Sequence, residues 1–346
     1  MSVELQKYKK NTVDKLTVKF NNDKNALTNY FNNLINFVLK SRLRQNVKIA
    51  QINYLRVSYT RHINKLTNDY NNAVNRINAY QPNIPSIQNI SNIQNIDTNF
   101  KNKNALLIGC NYNNNATYKL NGCINDVNNL KDIITNRGFN NINILTDETE
   151  EKPNKSNILS ELTQLLSNSN NNDLLFFSYS GHGSQVWDKN GDETDVLDEV
   201  IVPLDFNVIT DDELKTVIQT HLKPNVTLFA LFDCCNSGTV LDLKYQYLDS
   251  LNYDNYTENN KATDTLGNVI MISGCTDNQT SADAFINNTS QGAMTWAFIE
   301  SINSNPKLSW KQLIQNMRKL LTNSRYTQIP QLSTGNSFNI DTAIFI

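Results

Sequence analysis

The sequence predicts an α/β fold: a mostly parallel central sheet flanked by helices, preceded by a helical amino-terminal arm. Two observations carry this expectation. From Ala105 onward, short apolar runs alternate with segments of helical spacing, as βα units do. Before about Tyr80 only the helical spacing occurs, and the charge there has the opposite sign. Residues 1–80 hold 14 Lys/Arg against 4 Asp/Glu, or +10, which leaves −12 for the rest of a chain whose net charge is −2.

In the arm, Leu27, Tyr30, Phe31, Leu34, Ile35, Phe37 and Val38 recur near helical spacing, and Ile49, Ile52, Leu55, Val57, Ile63 and Leu66 continue it more loosely. Its basic residues suit nucleic acid or an anionic membrane as a partner. They also suit a solvated face on helices that pack against each other or against the body. Residues 81–103, with Pro82, Pro85 and repeated Ile-Gln-Asn triplets, read as a linker. The body then spans 104–346.

Within the body, residues 105–109 form a short apolar run and 121–137 have helical spacing, with Gly138 where a helix would stop. Strand 142–145, helix 156–166, strand 174–179, helix 211–221 and strand 226–232 follow. After a polar stretch, 249–268, come strand 269–273 and helices 293–302 and 310–321. No segment has the apolar amino-terminal core of a secretory signal, and none reaches the ~18 apolar residues of a spanning helix. Five cysteines without C-x-x-C spacing suggest reduced thiols, and so a cytoplasmic protein. His62, His182 and His221 show no paired zinc-ligand spacing.

The chemistry concentrates at strand ends. The run 226–232 stops at Asp233, Cys234 and Cys235, placing two thiols at the carboxyl end of a buried strand, where open α/β sheets carry their functional groups. The strand at 174–179 ends in Ser180-Gly181-His182-Gly183. If these strands are neighbours, His182 can activate a thiol as a Cys-His dyad, and the Gly183 amide can face a developing oxyanion. His62 in the arm and His221 at a helix end are poorer bases. Ser237 is a rival nucleophile, but Cys235-Asn-Ser-Gly238 lacks the first glycine of G-x-S-x-G. No phosphate-binding glycine motif occurs.

Acidic residues follow the histidine: Asp188, Asp192, Glu193, Asp195, Asp198 and Glu199. Residues 188–199 imitate an EF-hand loop, but Glu193 stands where glycine is required. With Asp211, Asp212 and Asp242 these carboxylates could gather around calcium or form a solvated acidic surface.

From about Asn104 to the carboxyl terminus the chain resembles the type I metacaspases, cysteine peptidases of caspase-like fold. The matching stretches are LIGCNY at 107–112, NGCIND at 121–126, YSGHGSQ at 179–185, DEVIVPLDF at 198–206 and FDCCNSGT at 232–239. They continue with ISGCTDNQTSAD at 272–283, QGAMT at 291–295 and YTQIPQLS at 326–333. The resemblance implies a large-subunit-like part at 104–248, an intersubunit linker at 249–268 and a small-subunit-like part at 269–346. It implies His182 as the base and, through D-x-C-x-S-G, Cys235 rather than Cys234 as the nucleophile, with Gly183 and Cys235 amides at the oxyanion. Family members cleave after Arg or Lys. The matching S1 positions are Cys123, Asp126, Ser180 and Asp233, and buried carboxylates suit a bidentate guanidinium. The family's calcium positions fall on Asp198, Asp211, Asp212 and Asp242, and the family is monomeric.

Two departures stand out. Asn236 occupies a position where the family usually has histidine, and the arm has neither the proline- and glutamine-rich extension nor the zinc finger common in the family. The expected activity is a calcium-dependent endopeptidase acting on protein or peptide substrates with Arg or Lys at P1. Self-cleavage is expected near Lys101, Lys103, Lys244 or Lys261. The alternative is a catalytically weak or inactive scaffold or binding protein, motivated by Asn236.

Overall fold

The computed structural model describes residues 3–79, 96–187, 197–234, 240–247, 257–259, 262–274, 283–286, 289–305, 307–326 and 328–346. Cys235, Asn236, Ser237, Lys261 and the acidic residues 188–195 lie outside the described residues. Two compact units divide the chain, one of residues 1–88 with 187–197, the other of 89–186 with 198–346.

The first unit contains α1 (Val3–Lys40) and α2 (Gln45–Ala79). They form an antiparallel hairpin: Lys9 Nζ donates to the Asn78 carbonyl, Thr17 and Tyr70 hydroxyls meet at 3.0 Å, and Lys48 Nζ donates to the Leu39 carbonyl. Ser41 Oγ caps the Val38 carbonyl at 2.6 Å where α1 ends. Leu16 and Phe31 are buried in the seam, Phe20 stacks on Tyr70, and Phe31 meets Tyr59 edge-on.

In the second unit, β1 (Lys103–Gly109), α3 (Cys123–Thr135), β2 (Asn141–Thr146), α4 (Lys155–Ser167) and β3 (Leu174–Ser180) come first. Then follow β4 (Gly183–Trp187), β5 (Leu197–Ile201), β6 (Ile209–Thr210), α5 (Asp211–His221), β7 (Thr227–Asp233), β8 (Tyr245–Tyr247) and β9 (Thr257–Glu258). The chain closes with β10 (Asn268–Gly274), β11 (Asp283–Ile286), β12 (Thr289–Gly292), α6 (Ala293–Ser304), α7 (Trp310–Asn323) and β13 (Pro330–Thr334). Among the described residues, eight strands form one sheet in the order β2-β1-β3-β7-β10-β13-β8-β9. The first five are mutually parallel, and β13, β8 and β9 add antiparallel pairs at one side.

Strand alternation sends successive side chains to opposite faces, and each face has its own core. Leu107, Phe176, Phe229, Leu231 and Ile272 pack under α3, α6 and α7, whereas Leu106, Phe177, Leu228, Ala230 and Met271 pack under α4 and α5. The caps set the helix starts. Asn154 caps α4, and capping boxes at Thr210/Glu213 and Ser309/Gln312 begin α5 and α7. Gly122 supplies no side-chain cap to α3. Instead the Asn111 carbonyl oxygen of the side chain accepts from the Cys123 and Ile124 amides.

The apolar runs locate every long strand of the parallel part. The shorter strands β4, β5, β6, β8, β9 and β11–β13 are absent from the periodicity, because each has at most five residues and none is an uninterrupted apolar run. Residues 96–102, read as linker, lie on the body: Phe100 meets Phe345 edge-on, the Lys101 amide donates to the Asn172 carbonyl, and Asn102 bonds Asp173. Two proposed cut sites are not exposed segments. Lys103 opens β1 with its ammonium on the Arg137 carbonyl, and Lys244 pairs with Asp264 at 2.9 Å and Glu258 at 3.4 Å. Both are held by sheet pairing that their neighbours complete.

Candidate active site

β3 and β7 are hydrogen-bonded neighbours, with Ser180 opposite Asp233. The chain therefore leaves two adjacent strand ends at the carboxyl edge of the sheet, one leading to His182 and the other to Cys234, and Cys235 is next in sequence. The order β2-β1-β3 makes β1 the strand at which the chain switches direction across the sheet, the position where α/β folds place their sites.

His182 is held at both its backbone and its ring. Its amide donates to the Tyr112 hydroxyl at 3.0 Å, and its carbonyl accepts from the Tyr179 hydroxyl and the Val202 amide, each at 3.0 Å. The Tyr112 hydroxyl donates to the Val202 carbonyl at 2.5 Å, and the Tyr179 hydroxyl, 2.7 Å from that carbonyl, shares its one hydrogen between the Val202 and His182 carbonyls. Burial pushes both phenols well above their ordinary pKa, so they stay protonated and available as donors. The Tyr112 ring packs on the imidazole, centroids 4.8 Å apart. Tyr112 sits at φ +52°, a left-handed conformation uncommon for a bulky residue. Asp147 stabilises that turn by accepting from the Asn111 and Asn113 amides at 2.7 and 2.8 Å.

The imidazole Nε2 lies 2.7 Å from the Tyr118 carbonyl oxygen. A carbonyl oxygen only accepts, so Nε2 carries the hydrogen and Nδ1 of the neutral ring keeps its lone pair. Tyr112 lies in the motif stretch at 107–112, but nothing in the sequence gives it or Tyr118 a role at the histidine. Their roles arise from a loop after β1 folding back over the loop after β3.

The four S1 positions come together. Cys123, Asp126, Ser180 and Asp233 are all buried, and Ser180 Oγ donates to Asp126 Oδ2 at 2.6 Å. Asp126 Oδ1 accepts from the Gly292 amide, and Asp233 Oδ2 accepts from the Thr295 amide, both at 2.8 Å. A Cβ at Gly292 would overlap Asp233 Oδ2 and lie 2.7 Å from Asp126 Oδ2. Thus the two carboxylates pack directly against the Gly292 backbone, at an approach that any Cβ would block. Asp233 Oδ1 is buried and has no hydrogen-bond partner among the described residues. Burial raises the Asp233 pKa, opposed by the hydrogen bonds from Thr295 and Met294. The Cys123 thiol is pushed up by burial and then by Asp126, which leaves it inert. Gly292 and Thr295 were not singled out as site residues, because proximity across β12 and α6 is a tertiary fact.

Cys234, the other thiol at the end of β7, is buried in the apolar cluster on the α4/α5 face. Cys110, Cys123 and Cys234 form no disulfide. His221, the last residue of α5, has its Nδ1 against Ser167 Oγ, and His62, within α2, has its Nδ1 against the Ser58 carbonyl.

Of the four residues expected at calcium, Asp198, Asp211 and Asp212 offer oxygens all within 4.8 Å of one another. Asp211 Oδ2 accepts from the Glu199 amide, and its pKa is pushed up to about 8, first by burial and next by the charges of Asp242 and Asp198. Asp242 is near enough to contribute that charge, but its Oδ2 is paired with Lys215 at 3.0 Å, while its buried Oδ1 has no hydrogen-bond partner among the described residues. A crowd of buried like charges with an orphaned oxygen fits a hard divalent cation.

Residues 103–244 match the family model for the metacaspase, peptidase C14 domain. Metacaspase-1 of Kluyveromyces lactis is 39% identical over 294 residues, covering 69% of this chain and 67% of that protein. Metacaspase-1A of Aspergillus oryzae is 40% identical over 283 residues, covering 67% of each. The crystal structure of a Geobacter sulfurreducens protein, 24% identical, shares the fold with a TM-score of 0.50 over 67% of this chain and 93% of its own.

Proposed function

The chain belongs to the metacaspase family of cysteine peptidases, and from that premise we propose an endopeptidase that cleaves after arginine or lysine and is activated by calcium. His182 is the base, Cys235 the nucleophile, and Asp126 with Asp233 the receptor for the substrate's cation.

The observation that carries this reading is the convergence of two buried carboxylates on Gly292, one of them with an orphaned oxygen, beside the strand end that leads into His182. A guanidinium bound at this S1 site would bring paired donors and positive charge to the two carboxylates, offsetting the burial that raises the Asp233 pKa. Cys123 and Ser180 line that site, and Ser180 orients Asp126. Burial of Cys234 in the apolar layer favours Cys235 as the reacting thiol.

In the proposed reaction, Nδ1 of His182 takes the Cys235 thiol proton as the thiolate bonds to the scissile carbonyl carbon. The carbonyl π pair becomes an oxyanion, received by the Gly183 and Cys235 amides. Collapse breaks the C–N bond, and the imidazolium returns the proton to the departing amine. Water then hydrolyses the thioester and restores the thiol. The Tyr118 carbonyl holds Nε2–H through both half-reactions, so the ring presents one nitrogen to the reaction.

Calcium would be held by Asp198, Asp211, Asp212 and Asp242 and would supply positive charge that offsets their mutual repulsion. Substrates are proteins or peptides with Arg or Lys at P1, and the active form is a monomer. The test is hydrolysis of Arg-ended and Asp-ended fluorogenic peptides, with calcium and with chelator. It compares the wild type, Cys235→Ala, and a form without the arm as a control for self-inhibition. Calcium-dependent cleavage of the Arg peptide, lost in Cys235→Ala, is expected. Absence of turnover with or without the arm would instead support a scaffold.

A further inference from the structure

The hairpin of α1 and α2 has a feature the peptidase chemistry does not use. Residues 24–68, its tip half, contain eight Lys/Arg and no Asp or Glu, with Lys40, Arg42, Arg44 and Lys48 around the turn. Large apolar side chains stand in solvent among them. Phe37 is 75% exposed and Tyr54 74%, and Leu39, Leu43, Val47 and Ile49 are exposed as well. Leu34, Phe37, Val47, Tyr54 and Leu55 border an apolar groove of about 740 Å³. The seam that closes the hairpin is made by other residues, Leu16, Phe20, Phe31, Tyr59 and Tyr70. Lys48 bonds the Leu39 carbonyl across the turn, but the exposed Phe37, Leu39, Leu43 and Tyr54 side chains take no part in that seam.

Three kinds of partner differ in how much of this surface they satisfy. Nucleic acid would pair with the cations but gain little from Leu, Val and Ile. A second copy would cover the apolar groups but bring two strongly basic tips together. An anionic lipid surface takes both, with headgroup charge for the Lys and Arg and the acyl boundary for the apolar side chains. An exposed apolar patch in a basic setting is the composition of an interfacial anchor. No helix among the described residues is long and apolar enough to cross a membrane.

We propose that the hairpin tip docks this protein on an anionic lipid surface, the turn at 41–44 and the adjoining helix ends lying in the headgroup layer. This does not depend on the peptidase reading, and its test uses no activity.

The experiment is cosedimentation of the full chain, carrying Cys235→Ala, with phosphatidylcholine vesicles with and without about 30 mol % phosphatidylserine at ~0.15 M salt. Retention is expected only with phosphatidylserine and falls as salt rises. Arg42→Gln/Arg44→Gln and Phe37→Ser/Tyr54→Ser should each weaken it by about tenfold, with helical circular dichroism unchanged because the altered side chains are exposed. Leu43→Ser, in the turn, is a milder apolar variant that leaves both helices intact and should also weaken retention. No retention on phosphatidylserine would overturn the proposal. So would retention indifferent to both apolar variants, which would mean charge alone. Duplex DNA binding without vesicle binding would assign the tip to nucleic acid, and a dimer lost in Phe37→Ser/Tyr54→Ser without vesicle binding would assign it to self-association.

Discussion

At His182, one ring nitrogen is committed to the Tyr118 carbonyl, and the backbone is suspended from two tyrosine hydroxyls. Tyr112→Phe removes the acceptor for the His182 amide and one donor to Val202, leaving buried backbone groups short of partners at a cost of roughly 1–3 kcal/mol. The expected result is a fall in kcat of at least about tenfold with KM nearly unchanged, since the S1 carboxylates are not touched. Steady-state kinetics on an Arg peptide measures that split. Asp233 behaves differently. Its pKa is raised in the folded protein by burial, so wild-type stability falls as pH rises from the ordinary carboxylate pKa to the raised folded value. Asp233→Asn does not titrate and keeps an acceptor for Thr295. It should melt several degrees higher than wild type at neutral pH, show no gain below the ordinary carboxylate range, and lose cleavage of the Arg peptide. A variant that melts lower at neutral pH would contradict the burial argument. His182, Asp233, Tyr112 and Gly292 all lie in motif stretches, but the roles of Tyr112, Tyr118 and Gly292 depend on partners far away in sequence.

Elements carry these groups to their positions. The parallel pairing of β3 with β7 sets Ser180 beside Asp233, and the start of α3, capped by Asn111, brings Asp126 to them. α5 plays the same part at the acidic cluster. Its capping box places Asp211 and Asp212 in the first turn, where the helix dipole favours negative charge. Thr210→Ala should cost about 1 kcal/mol of stability and loosen two of the four proposed ligands. Calorimetric titration should then show calcium affinity reduced several-fold, with Asp126 and Asp233 unaffected and so KM at saturating calcium preserved. The core under the sheet is equally specific: Phe229 stacks on Phe176 and Phe298 and meets Trp310, at centroid distances of 5.2, 5.8 and 5.4 Å. These strands were legible because burial on both faces demands uninterrupted apolar runs. The short strands were not, because backbone pairing, rather than an apolar run, makes them strands.

Burial decides which basic residues a peptidase of the proposed specificity could reach in its own chain. Lys103 and Lys244 satisfy an Arg/Lys preference chemically, but one is inside β1 and the other is tied to Asp264 and Glu258. Incubation with calcium followed by intact-mass analysis should show no cut after either in the folded protein, even if cuts occur elsewhere. By itself the sequence determined the α/β class, the helical basic arm, the strand ends that lead into His182 and Cys235, and the family, because apolar periodicity and ordered motifs are local properties of the chain. The tertiary structure alone decided that β3 and β7 are neighbours, that Tyr118 holds the imidazole, that Gly292 separates two buried carboxylates, and that Lys215 shares Asp242. Each of these is a contact between residues distant in sequence, set by which strands pair and which loops pack, and no local pattern encodes it.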